Sequence, residues 1–323
     1  MGWVASRVVG DLSAAVDTII RRCLAVQAAE QLLVVCDPDH DDLGRALVEG
    51  ALRIDADPSL TILPPRPSRG TEPPRAVAAA MANSDVFIAP CLPSLSHTTA
   101  RKQASEAGIR GATMPSATAD LTARLMSADF DLMARRSAAV AALLEAADEA
   151  RLTCPLGTDL TLDLSGRPGI SDDGDLTAPG AFGNLPCGEG FISPRGAEGV
   201  AVVQSLATIG LPREPVTLTV HDGRLDDATG LEGARLLELL TAHGDIGRTI
   251  AELGVGTNDR AQLTGNILED EKMLGTAHIA FGASAGIGGD VSVPVHLDSL
   301  VLDATLDIGG TRVLDAGRFA LDA

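Results

Sequence analysis

Tyrosine is absent from this chain of 323 residues, tryptophan occurs once, and aromatic residues together make up 2%. No phenol is therefore available to any site the fold builds. Lysine is almost as scarce, standing only at 102 and 272, so arginine carries nearly all the positive charge. Acidic groups outnumber basic ones, 44 to 25, for a net charge of −19. No basic stripe exists to neutralise phosphates, which excludes nucleic acid as a partner. Five scattered cysteines (23, 36, 91, 154, 187) form no Cys-x-x-Cys pair and no disulfide framework, so a reducing cytoplasm is the simplest compartment. Cys187, in PCGEG, is kept as an alternative nucleophile. No apolar run is long enough to span a membrane. The amino terminus lacks the basic-then-apolar layout of a signal peptide. MGWVAS fits the loose myristoylation pattern, and the match is read as accidental.

Nucleotide-binding glycine motifs are missing too. The first half alternates short apolar runs with helical spacing. Residues 11–29 predict a helix capped by Asp11 or Ser13, followed by a strand at 32–36, a helix at 43–52 and a strand at 59–63. A polar, Pro-rich surface loop (64–74) precedes a helix at 75–83, a strand at 85–90, a helix near 98–107 and IRGATM at 109–114. Such alternation predicts a parallel sheet with crossover helices, a Rossmann-like domain. No GxGxxG or GxxxxGK[ST] follows any of its strands, and the loop after the first is DPDHDD, which repels phosphate. Residues 117–150 read as one or two helices. Beyond Arg151 the character changes to short strands and Gly/Pro turns. The expected division is thus residues 1–150, Rossmann-like α/β, and 151–323, a β-rich α+β domain, with a site at or near their junction.

In the second half, Thr158, Leu160, Leu162 and Leu164 alternate with polar residues as a one-sided strand does, and 171–184 reads as a long polar loop. A tight hairpin is expected after Ile308. The clearest period-two pattern starts at His296. Positions 296, 298, 300, 302, 304, 306 and 308 predict one face of a single strand, with the Leu/Ile row as core. His296 and Asp298 share that face. Burying an imidazole beside a carboxylate requires a partner for both, and a divalent cation is one such partner. On the dipeptide alone a His–Asp hydrogen bond is the better account. Further candidate ligands lie upstream: Glu252, the acidic run 269–271, and His278 in the strand AHIAF. His97, near a helix start, is better read as a cap or surface residue than as a site residue.

AELGVGTN (251–258), GNILEDEKMLGTAHIAFG (265–282) and VHLD (295–298) closely resemble the metal-binding half of the aminopeptidase T/aminopeptidase S family of metallopeptidases. NLPCGEGFISP (184–194) and PLGTDLTLDLSGRPG (155–169) extend the resemblance upstream. It implies two divalent ions (Zn, Mn or Co) on Glu189, Glu252, His278, His296 and Asp298, with Glu252 or Glu189 as bridging ligand and general base. It also implies a homodimer. The family's sixth ligand, a Tyr shortly after the first His, has no counterpart in FGASAGIGG. The interval from His278 to His296 is short as well, which resembles instead the 2,5-dihydroxypyridine dioxygenases, a branch using one Fe(II). Those enzymes keep the counterparts of His296, Asp298 and the preceding Gly288-Gly289. They carry His where this chain has Glu252, and do not use the positions of Glu189 and His278 as ligands. The leading expectation is a cytoplasmic divalent-metal hydrolase acting on an amide or short peptide-like substrate. The alternatives are an Fe(II) ring-cleaving dioxygenase, with a facial triad of His278, His296 and a carboxylate, and a non-catalytic metal-binding relative.

Overall fold

The structure, a computed structural model, describes residues 11–64, 71–92 and 94–322. MGWVAS and residues 65–70 of the expected Pro-rich loop lie outside that range.

A helix at Leu12–Asp17 (α1) opens the described chain, its first amides held by the Asp11 carboxylate, and it runs on into a wider turn, Thr18–Cys23. Strand β1 (Gln31–Cys36) is buried on both faces after its first residue, as its unbroken apolar run demands. Helix α2 (Asp41–Leu52), β2 (Asp57–Ile62), α3 (Arg75–Met81), β3 (Val86–Ala89), α4 (Thr99–Glu106), β4 (Arg110–Thr113) and α5 (Ala119–Leu125) continue the expected alternation. Helix α6 (Phe130–Ala146) and strands β5 (Glu149–Thr153), β6 (Asp159–Asp163) and β7 (Gly169–Asp172) follow. The chain then supplies β8 (Phe182–Asn184), which pairs with β4. This completes a five-stranded parallel sheet, ordered β2-β1-β3-β4-β8, with Leu33, Val35, Phe87 and Met81 in its core. The stretch 171–184 is therefore not one loop: it holds the end of β7 and all of β8.

Two compact units divide the protein. One comprises the described residues up to Ala128 with Gly174–Cys187; the other comprises Asp129–Asp173 with Gly188–Ala323. The border expected at residues 150/151 falls inside the second unit. The reason is that α6 packs on β7 and β9 (Glu189–Ile192): a Cβ on Gly169 would run into the Ala141 carbonyl, and one on Gly190 would crowd that of Ser137.

The second unit continues with β10 (Gly196–Val203), β11 (Ser205–Leu206), β12 (Val216–His221), β13 (Arg224–Ala228), α7 (Gly230–Thr241), β14 (Ile250–Gly256), α8 (Ile267–Asp270), β15 (Ala277–Gly282), β16 (His296–Val301), β17 (Thr305–Ile308), β18 (Thr311–Asp315) and β19 (Arg318–Phe319). These form an eight-stranded sheet, β13-β12-β10-β6-β5-β17-β18-β19, and a six-stranded sheet, β11-β16-β15-β14-β9-β7. Leu160, Leu162, Leu218 and Leu306 of the first share one core with Ile192, Leu253, Ile279 and Val301 of the second, along with Leu144 of α6 and Leu236 of α7.

The strand expected over 296–308 is two strands in two different sheets. Asp303 turns the chain between them with φ 49°. In β16 the residues packed into the shared core are Leu297 and Val301, so His296 and Asp298 lie on the face turned away from it. The even row enters the core only past the Asp303 turn, at Ala304, Leu306 and Ile308. The hairpin expected after Ile308 is present, turning through Gly309 and Gly310 at φ 55° and 83°.

Candidate metal centre

Register places all five expected ligands on one face of the six-stranded sheet. Glu252 of β14 pairs with Ala280 of β15, which pairs with Asp298 of β16. One step along, Gly254 pairs with His278, and in the other direction Gly282 pairs with His296. Glu189 of β9 pairs with Gly256 on one side and with Asp172 of β7 on the other. Because side chains alternate between faces with period two, these partners all point the same way. The positions between the ligands are Gly254, Gly256, Ala280 and Gly282, small residues that leave the face open. At Gly254 the need is direct, since a Cβ there would overlap Cε1 and Nε2 of His278.

Two donor groups result. In one, Glu189, Glu252 and His278 offer ligand atoms all within 4.8 Å of one another; in the other, Glu252, His296 and Asp298 do. Glu252 belongs to both. Its Oε1 lies 3.2 Å from His278 Nε2, and its Oε2 3.3 Å from His296 Nε2. His296 Nε2 is also 3.2 Å from Asp298 Oδ1, while its Nδ1 is 2.7 Å from the Ala283 carbonyl. That backbone contact fixes Nδ1 as the donor and leaves Nε2 for a ligand role. The first group is buried; His296 and Asp298 are about 15% exposed, so the second is open to a reactant. His278 and His296 do not fall in one donor group, so the facial triad expected from both imidazoles and a carboxylate is not assembled.

The electrostatics fit an intended cation. Burial disfavours ionising Glu252, but hydrogen bonds from His278 and His296, with their charges, outweigh it and hold its carboxyl far below the usual range. Burial likewise opposes charge on His278, yet its bond to Glu252 and the charges of Glu189 and Glu252 push it up to about 9. For His296, burial is outweighed by Asp298 and Glu252, and it rises well above the ordinary value. Among the described residues, the ion-pair partners of Glu252 and Asp298 are imidazoles alone. Without a metal ion, protons on the two imidazoles supply the positive charge. A divalent ion would displace them, and carboxylate–imidazole donors suit Fe, Mn, Co or Zn.

Two residues that the sequence reading missed complete the cluster. Lys272 is 2% exposed, with Nζ 2.5 Å from Glu189 Oε1, 2.9 Å from Glu271 Oε1 and 3.7 Å from Asp172 Oδ2. Burial opposes the ammonium, but Glu189, Glu271 and Asp172 outweigh that and raise it well above its ordinary value. Burial is also the chief cause pushing Glu271 up to about 8 and Asp172 to about 7. The one signal available in sequence was that Lys272 is one of only two lysines; Asp172 fell in a stretch that reads as loop.

Glu269 and Asp270 serve the fold instead. Glu269 accepts from the Gln262 amide, and Asp270 from the Thr264 and Gly265 amides and from Ser205 Oγ. His97 is exposed, beside Thr98, whose hydroxyl caps α4. Cys187 is fully buried. No helix of the described residues is long and apolar enough to cross a membrane.

Comparison with known proteins gives a sequence model described as NicX, 2,5-dihydroxypyridine 5,6-dioxygenase, matching residues 12–321. No curated protein matches. Among solved structures, the fold is similar to that of 2,5-dihydroxypyridine dioxygenase from Pseudomonas putida KT2440, with TM-score 0.81 at 20% identity over 96% of each chain. It is also similar to wild-type AmpT from Thermus thermophilus, with TM-score 0.67 at 18% identity over 96% of this chain and 99% of that one. Both branches that the sequence resembles are thus represented, and the family match favours the ring-cleaving branch over the hydrolase expected first.

Proposed function

The chain belongs to the 2,5-dihydroxypyridine 5,6-dioxygenase family, and from that premise we propose that it is an Fe(II)-dependent dioxygenase that opens a hydroxylated aromatic or N-heteroaromatic ring. The observation that carries the reading is the solvent-accessible group of Glu252, His296 and Asp298, three donors on one sheet face whose two carboxylates pair with imidazoles. One imidazole with two carboxylates differs from the two-His, one-carboxylate triad usual for non-haem iron, but it remains a hard, open donor set for a divalent ion. Ferrous iron held there would supply the activation of dioxygen.

The chain's own residues prepare that site. Ala283 O holds His296 Nδ1, so the ring presents Nε2. His278 Nε2 holds Glu252 Oε1, leaving Oε2 turned toward His296 and Asp298. The absence of any tyrosine counts against the peptidase, whose family holds its two ions with a Tyr as sixth ligand. In a ring-opening dioxygenation both oxygen atoms enter the product and the ring bond supplies the electrons, so no external reductant is needed.

One observation favours a second reading, a two-ion amide hydrolase: the two oxygens of Glu252 face different donor groups, as a bridging carboxylate's would. A single experiment separates them. Hydroxypyridines and dihydroxybenzoates are offered with Fe(II) in air, and amino-acid amides and dipeptides with Zn, Mn or Co under nitrogen. Ring loss with one O₂ consumed per ring is expected. Oxygen-independent amide hydrolysis without oxygen uptake would replace this reading with the hydrolase.

A further inference from the structure

The proposed chemistry leaves Lys272 without a role, although its burial makes it costly to keep. An ammonium withdrawn from water is tolerated only when carboxylates surround it. Here Glu189, Glu271 and Asp172 do so. The backbone fixes its position. Asn258 N donates to Lys272 O at 2.9 Å and Leu274 N to Asn258 O at 3.0 Å, closing this segment onto the end of β14. Gly256 permits the approach, because a Cβ there would overlap the Lys272 and Met273 carbonyl groups and Glu271 O. Gly256 is also the ladder partner of Glu189. The same glycine that opens the sheet face beside Glu189 thus lets the lysine reach it.

A divalent ion on Glu189, Glu252 and His278 would have to share the Glu189 carboxylate with that ammonium. Like charges this close repel far more strongly in a buried cluster than at a surface. We propose that the Lys272 ammonium stands in for a second metal ion, holding Glu189 through Oε1 and confining the divalent ion to Glu252, His296 and Asp298. His278 is then a positioning residue for Glu252 rather than a ligand. This rests on the one-ion reading above and explains how a face carrying two donor groups holds one ion.

The test is metal stoichiometry, independent of turnover. Full-length protein is saturated with Mn(II) or Zn(II), desalted and assayed for metal per chain, with bound ions located by anomalous diffraction. The wild type is expected to hold one ion at Glu252, His296 and Asp298. Lys272→Met should hold two, the second at Glu189, Glu252 and His278; Lys272→Arg, which keeps the charge, should hold one. If Lys272→Met does not fold, Glu189→Gln decides: one ion retained with affinity changed less than about threefold supports the assignment, and loss of an ion overturns it. Two ions in the wild type, or one in folded Lys272→Met, overturn this inference and leave the metal centre standing. No ion in the wild type overturns the metal reading itself, and this inference with it.

Discussion

Gly254 and His278 are direct partners across the β14–β15 ladder, and the imidazole lies over the glycine where a side chain would otherwise stand. Gly254 is not among the glycines with positive φ, so its backbone alone would accept alanine. The constraint is steric. From this contact the ring reaches Glu252 Oε1.

Gly254→Ala is therefore expected to fold but to displace the ring and release Glu252 from its orientation. Groups that orient a ligand are typically worth about 10–100-fold in metal affinity. Competition against a chromogenic chelator measures it; unchanged affinity in the folded variant would show that His278 does not position Glu252.

The double substitution His296→Ala with Asp298→Ala removes two donors from the accessible group and is expected to abolish metal binding. Both side chains are partly exposed, so circular dichroism and the melting temperature should report a folded chain. Elemental analysis of the protein after desalting is the check, and undiminished metal would place the ion elsewhere.

Much of this site could be read from residues before any coordinates. His296 and Asp298 share a face because a strand alternates with period two, and that inference needs only local sequence. Bringing Glu189, Glu252 and His278 to the same face depends on strand register across long separations, which here came from the resemblance and not from periodicity. Lys272 was hidden for a physical reason. In EDEK it follows an acidic run read as candidate ligands, and its burial depends on the close backbone approach at Gly256, which local sequence does not announce. The break at Asp303 was equally silent, since the even apolar row continues on both sides while the chain changes sheets. The return of β8 to the parallel sheet is a contact of high sequence separation, with only three residues to announce it.

Thiol chemistry offers a test of the burial pattern. Cys23, Cys36, Cys91 and Cys187 are buried and Cys154 is half-buried, so at pH 8 a disulfide reagent should label one cysteine quickly and all five after denaturation. Burial, with Asp41 and Asp37 nearby, pushes Cys36 up to about 11, and burial pushes Cys91 up to about 12. Both values exceed the ordinary thiol value of 9.0, so the folded chain keeps protons that the unfolded chain gives up. The stability linked to these thiols is thus complete below about pH 9 and is lost as pH rises toward 11 and 12. Urea melts of Cys91→Ala against wild type should converge over that interval; a constant difference would mean the thiol stays equally protonated in both states.

The most decisive substitution is Glu252→His. The dioxygenases that this sequence resembles carry His at this position, and the change would give His296, Asp298 and a second imidazole, the two-His, one-carboxylate set suited to Fe(II). It would also remove the only carboxylate common to the two donor groups. The two chemistries therefore respond oppositely. A ring-opening dioxygenase should keep one ferrous ion and sustain or raise its oxygen uptake with hydroxypyridines, whereas a two-ion hydrolase should lose its bridge and fall by orders of magnitude on amides. Oxygen-electrode traces for variant and wild type, read beside iron content, give the answer. Oxygen uptake abolished in a variant that still holds one iron would mean that the Glu252 carboxylate takes part in the chemistry beyond holding the metal, and the assignment of the ring-opening site would have to be redrawn around it.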